Sequence, residues 1–256
     1  MTPTSVVRRG PIYWWESYVA MLRFDFARHR AMLVTALASQ LFMGFGLVIM
    51  YGLYLGSVDS ATGLYLTSGV PALSLIPVGF ILIPLLIAQD KRAGTHEFTW
   101  SLPGPRSATA ASTFTLFTAV SLPVALLSTV LAAWRFDVSL SVTWLVVPAG
   151  VLVALMGTSV GFGLAQAIPE PRIVNLITNI VVFLVMLFSP IAVPIERFPD
   201  WLATVHRVLP FYHMASLLRW TVSDGLVASP GTSTAVVIGW TVLAWIAAAW
   251  VLGRRR

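Results

Sequence analysis

Six stretches of this chain, near residues 31–54, 70–88, 109–134, 142–167, 173–191 and 233–252, contain no Asp, Glu, Lys, Arg or His. A helix needs roughly 20 apolar residues to cross about 30 Å of hydrocarbon, and each stretch is long enough or nearly so. In hydrocarbon every backbone polar group must be satisfied within its own segment, so runs of this length read as helices. The whole chain is 57% hydrophobic and 10% charged, too little polar surface to cover a water-facing globule of 256 residues. The expected fold is all-α and membrane-embedded, six transmembrane helices in a single domain over residues 1–256. Pro169 and Pro171 between the fourth and fifth stretches argue for a tight turn there.

Lys and Arg set the orientation. With both termini in the cytoplasm, the inside carries Arg8, Arg9, Arg23, Arg28, Arg30, Lys91, Arg92, Arg106, Arg172, Arg254, Arg255 and Arg256, and the outside only Arg135, Arg197, Arg207 and Arg219. The positive-inside rule favours that arrangement in a plasma membrane. It also accounts for the net charge of +6 without nucleic acid, since no basic stripe with interleaved aromatics occurs. The chain has no cysteine, which excludes disulfides and thiolate metal sites. No secretory signal is evident in residues 1–30, so the first span is expected to direct insertion.

Two segments flank the membrane without crossing it. Residues 13–30 place Trp15, Tyr18, Leu22 and Phe26 near helical spacing, with Glu16, Arg23 and Arg28 between them. They read as an interfacial helix with its rings at headgroup level. Residues 192–230 read as an outer re-entrant pair of short helices, opened by Pro199 and Pro210, lying on or dipping into the outer leaflet.

The spans hold no ionisable group, whereas ion-coupled carriers keep one at membrane depth. Transport by this chain would therefore draw its energy from elsewhere. A phosphate-binding loop would need the one lysine, Lys91, and its neighbours lack the required glycines, so ATP and Mg are expected on a separate partner and no cofactor on this chain. Gly157-Thr-Ser-Val-Gly161 matches a nucleophile pattern but lies inside a span, away from all four histidines. Its two glycines read better as a small-residue face for close helix packing. Glu196, Asp200, His206 and His213 have no metal-ligand spacing, so neither a metal nor a catalytic site is expected.

Three finer features remain. Ser112, Thr115, Thr118 and Ser121 recur every three residues in the third span, either lining a path or bonding back to their own helix. Asn175 and Asn179 share a face at the start of the fifth, either lining the path or hydrogen-bonding to a neighbouring helix. Pro71, Pro77 and Pro84 interrupt the second span, which suits a moving part as well as a static kink. That span leads into residues 89–106, QDKRAGTHEFTWSLPGPR, a compact polar knot. Gly94 permits a sharp bend, and a short helical turn can follow through Glu97 and Trp100 until Pro103 and Pro105 stop it. Phe98 and Trp100 among charges suit insertion into a partner's groove.

The knot resembles the permease subunits of type-two ABC transporters, including drug and polysaccharide exporters. Their pattern appears as Asp90-Lys91-Arg92, Gly94-Thr95, Glu97, Pro103 and Arg106. The outer segment is similar too, with Pro194, Pro199, Trp201, Pro210 and Arg219 in place, although Leu209 and Phe211 depart from the family's usual residues. The resemblance covers essentially the whole chain. It implies a second permease, like or unlike, and an ABC ATPase dimer. The knot is then the coupling helix, carried by Asp90, Lys91, Arg92, Gly94, Thr95, Glu97, Phe98, Trp100, Pro103 and Arg106, and residues 13–30 rest against the same subunit. It also implies export, and the apolar spans suit an amphipathic or hydrophobic cargo. The competing reading is an ion-coupled carrier or channel complete in one chain.

Overall fold

The computed structural model describes residues 10–54, 56 and 58–254, without the side chains of Ser39, His96, Glu97, Trp100, Ala249 and residues 251–254. Every regular element in that range is helical. In chain order these are α1 (Pro11–Tyr54), α2 (Ser60–Pro77), a π-helical stretch Val78–Leu82, α3 (Ile83–Arg92), α4 (Thr95–Ser101) and α5 (Arg106–Phe136). There follow α6 (Val146–Ala167), α7 (Pro171–Phe188), a 3-10 turn Ile195–Arg197, α8 (Asp200–Val208), α9 (Pro210–Val222) and α10 (Gly231–Arg254). Six units are long and apolar enough to cross a membrane: α1, the run from α2 through α3, α5, α6, α7 and α10.

The α2–α3 run is the centre of the bundle and packs on α5, α6, α7 and α9. Its prolines explain its irregularity. Pro77 and Pro84 each remove a backbone donor, and between them the Ile83 N–H bonds back to the Val78 carbonyl, one residue beyond the α-helical partner. At that wide turn Gly79 meets Gly157 and Gly161 of α6. A Cβ on Gly79 would stand 2.5 Å from the Gly157 carbonyl carbon, and one on Gly161 would be nearer still to the Gly79 oxygen. Lipid offers no hydrophobic drive between helices, so backbone approach of this kind holds a bundle together. Ser159 of the nucleophile-like pattern lies within α6 with its hydroxyl on the Leu155 carbonyl.

Two expectations change. The interfacial helix is no separate element: residues 13–30 continue without a break into the first span. No Gly or Pro stands between Pro11 and Gly44, so nothing interrupts the hydrogen-bond ladder. The 44 residues of α1 run about 66 Å, roughly twice the hydrocarbon thickness. Its first turns lie along α5, where Trp14 Nε1 donates to Ser107 Oγ at 3.0 Å and the Tyr18 hydroxyl to Thr115 Oγ1 at 3.0 Å. The outer pair also divides in character. α8 exposes Trp201, Val205 and Val208, while α9 is buried along almost its whole length and packs on α2, α6 and α10 instead of lying on the leaflet.

Candidate functional site

The knot folds as two helices around a left-handed glycine. α3 ends where the Ala93 N–H bonds the Gln89 carbonyl, Gly94 takes φ +70°, and α4 begins with the Phe98 N–H on the Gly94 carbonyl. A residue with a Cβ would be strained at that φ, and proline could not adopt it. The C-terminal stop is Leu102 in extended conformation before Pro103.

Three side chains tie the knot to the bundle. The Arg28 guanidinium reaches from α1 to the Asp90 carboxylate and to the Thr95 hydroxyl, bridging the end of α3 and the start of α4. Thr95 Oγ1 also lies 3.3 Å from the Asp90 carbonyl. Lys91 turns the other way: its ammonium donates to the carbonyls of Ala165 and, at 3.2 Å, of Ile168. Those carbonyls close α6, so Lys91 satisfies free acceptors at the negative end of its dipole. Arg28 thus links the start of α4 to α1, and Lys91 links the end of α3 to α6.

Behind the clamp sits a buried polar layer. Asp25 of α1 is buried, with Ser112 Oγ at 2.7 Å and Thr113 Oγ1 at 3.3 Å from its Oδ2. His29, one turn on, has Nδ1 3.0 Å from the Asp25 carbonyl and Nε2 4.0 Å from Asp90 Oδ1. Sequence reasoning missed Asp25, Arg28 and His29 as a group, having placed them on a helix lying in the interface. Their spacing puts them on one helical face, but that face acquires meaning only beside α3 and α5.

Other residues of the knot are exposed. Arg92, Gly94, Phe98, Pro103 and Arg106 are exposed, and Phe98 shows 55% of its surface. The side chains of Glu97 and Trp100 lie outside the described residues. The knot is thus anchored by Asp90, Lys91 and Thr95 and exposes Arg92, Gly94, Phe98, Pro103 and Arg106.

The serine and threonine stripe has a different place from the knot. Ser112 faces Asp25, Thr115 faces Tyr18, and the Ser121 carbonyl accepts from Gln40 Nε2 at 3.1 Å. Ser112, Thr118 and Ser121 are buried, so in this conformation the stripe forms the seam between α1 and α5. Asn179 is exposed on α7 and donates to the Asn175 carbonyl at 2.7 Å.

No curated protein matches the chain. A family model described as ABC-2 type transporter matches residues 14–222, from the first turns of α1 to the last residue of α9. A six-helix membrane bundle with a short polar helix projecting from one end agrees with that match over most of the chain, which belongs to the ABC-2 type transporter family as a membrane subunit of an ABC transporter.

Proposed function

We propose that this subunit forms half of the translocation path of an ATP-driven exporter and that α4 seats in a separate ABC ATPase subunit. Two ATPases bind ATP and Mg, and a second permease, identical or different, completes the path. The subunit sits in the plasma membrane with both termini and the knot in the cytoplasm, as its Lys and Arg distribution favours. The Arg28–Asp90–Thr95 clamp carries this reading, because it fastens an exposed seven-residue helix to the longest helix in the molecule. ATP-driven closure of the ATPases moves α4. The clamp passes that movement to α1, Lys91 passes it to α6, and the π-helical stretch between Pro77 and Pro84 supplies a joint in the central span.

The cargo is amphipathic or hydrophobic, of drug or lipid-like character. A groove of about 390 Å³ between α1 and the central span supports this, with Met32, Met43, Ile81 and Leu85 on its walls and Gln40 and Gln89 as polar points. The competing carrier reading has one observation in its favour, the buried Asp25 and His29. Both precede residue 31 and lie level with Asp90, at the end of the bundle instead of its middle.

Purification from native membranes in mild detergent tests the reading. An ATPase subunit accompanies the wild-type chain, and Glu97→Arg or Gly94→Pro lowers transport-linked ATPase activity while the protein still folds and inserts. Full coupled activity in both variants refutes the role of α4. A cysteine placed next to Thr95 is labelled from the cytoplasmic side alone; labelling from outside overturns the topology.

A further inference from the structure

One acceptor in the buried layer behind the clamp lacks a donor among the described residues. His29 is 9% exposed, and its Nδ1 stands 3.0 Å from the Asp25 carbonyl. A carbonyl only accepts, so Nδ1 carries a hydrogen, and Nε2 of the neutral ring is then an acceptor. Nε2 is buried without a hydrogen-bond partner and faces Asp90 Oδ1 at 4.0 Å. Two acceptors turned towards each other need a donor between them, and a buried acceptor left unmade is costly.

His29 and Asp90 both line a cavity of about 50 Å³. The elements packed around it differ in what they bring. α1 adds the Asp25 carboxyl and the Arg28 guanidinium, and α3 the Asp90 carboxyl. α4 adds Thr99, α5 adds Thr109 and Thr113, and α6 adds Phe162, none of them charged. The side chains of His96 and Glu97 on α4 lie outside the described residues. Two carboxyl groups thus face one guanidinium, and Arg28 divides itself between Asp90 and Thr95. A proton on Nε2 supplies a donor and a second positive charge beside Asp90 in one step. Imidazole is the side chain that makes this change between about pH 5 and pH 8.

We infer that His29 Nε2 is a proton-binding site of the clamp, through which pH sets how firmly the end of α3 is tied to α1. When the ring is charged, cations from two successive residues of α1 hold Asp90, and the tie persists without Arg28. This rests on the coupling role proposed above for the clamp. The Arg28 and Asp90 side chains are 21% and 18% exposed, so the proton acts on coupling far more than on unfolding. With Arg28 in place the second cation adds little. The proton shows itself where Arg28 is missing.

The test reads transport-linked ATPase activity of the chain purified with its ATPase, each value taken relative to wild type at the same pH. Arg28→Gln stands near a tenth of wild type at about pH 8 and recovers about threefold or more at about pH 6, as the charged ring takes over Asp90. Arg28→Gln combined with His29→Gln does not recover. Phe98→Ala, which weakens the exposed face of α4 instead, does not recover either. No recovery in Arg28→Gln overturns the site. Recovery in the combined variant puts the proton on another group, and recovery in Phe98→Ala makes the effect a general one of acid; either overturns it. If the wild-type chain shows no coupled activity at any pH, the coupling reading fails, and nitrogen-15 spectra of the histidine-labelled chain in detergent still decide the proton site. The His29 ring signals, identified by their loss in His29→Gln, move to the imidazolium position as the pH falls, and in Asp90→Asn they do so only at lower pH. The same course in wild type and Asp90→Asn would show that Asp90 does not hold the proton in place and would overturn the site.

Discussion

Two arginines hold the two ends of this molecule, in opposite ways. Arg28, at the knot, is partly exposed, pairs with a carboxylate and bridges three helices through it. Arg219, at the far end, is 2% exposed and has no carboxylate within ion-pair distance among the described residues. Its Nε donates to Ser68 Oγ at 3.0 Å, its Nη2 to the Ile191 carbonyl at 2.7 Å, and its guanidinium lies 3.8 Å from the centre of the Tyr65 ring. Carbonyls, a hydroxyl and a ring face take the place of a counter-ion, binding α9 to α2 and to the turn after α7. Gly69 makes room for this, since a Cβ there would stand 2.6 Å from the Ile191 oxygen. The far end is a lock with many bonds and no exposed face. The knot is a joint with few bonds and one face left open, which suits the coupling role proposed for it.

The largest expected effect lies at the lock. Arg219→Met leaves the Ile191 carbonyl and Ser68 hydroxyl without their donor and should cost about 2–4 kcal/mol, since each buried group left unmade costs about 1–3. A thermal unfolding curve in detergent reads it as a large fall in midpoint. Arg219→Lys should recover less than half, because an ammonium lacks the planar fork and the ring stacking. A wild-type midpoint in Arg219→Met would erase the distinction between lock and joint. Next comes Gly161→Val, which pushes a branched side chain into the Gly79 backbone. Overpacking of this kind costs about 1–3 kcal/mol, and the same unfolding curve measures it.

At the joint the balance between stability and function reverses. Arg28→Glu places two carboxylates together and should lower transport-linked ATPase activity by about tenfold or more while shifting the unfolding midpoint little, because a partly exposed pair contributes about 1 kcal/mol. Exchanging the charges, Arg28→Asp with Asp90→Arg, should restore part of the activity. An exchange that restores stability but no coupling would make the clamp structural only. Phe98→Ala should be smaller again, weakening ATPase capture by about tenfold, the cost of one truncated anchor of about 1.4 kcal/mol, with no change in midpoint.

Much of this architecture is legible in the sequence, for one physical reason: a span announces itself by the absence of charge. What was misread shares a reason too. The second span begins at Ser60, not near residue 70, because Thr67 and Ser68, polar in a sequence reading, face the protein interior and not lipid. Arg219 counts as an outer-loop cation by position, yet it is among the most buried side chains. Asp25 and Lys91 find their partners on α5 and α6, across distances in the chain that no local pattern records. The knot itself was legible as a bend followed by a short helix, because Gly94 and Pro103 act on their own backbone. Its anchoring was not, since the clamp is a tertiary contact.

The smallest effect concerns pH and falls on the far end. His206 of α8 is buried, its ring against Phe198 with centroids 5.9 Å apart, and among the described residues only the Phe188 backbone comes near enough to favour its charged form, without a well-formed hydrogen bond to either ring nitrogen. Burial disfavours the charged imidazole and pulls its pKa below the ordinary 6.5. Because the folded value is the lower one, His206 contributes stability above about pH 6.5, and that contribution falls away as the pH drops through the folded value. Unfolding midpoints between pH 7.5 and pH 5 should therefore decline, and His206→Phe should flatten that part of the decline without lowering the midpoint at pH 7.5. The joint offers the control. Arg28→Gln leaves His206 in place and should keep the His206 part of the decline while transport-linked activity falls, so loss of that part in Arg28→Gln would mean that the two ends titrate as one unit and are not the separate lock and joint argued here.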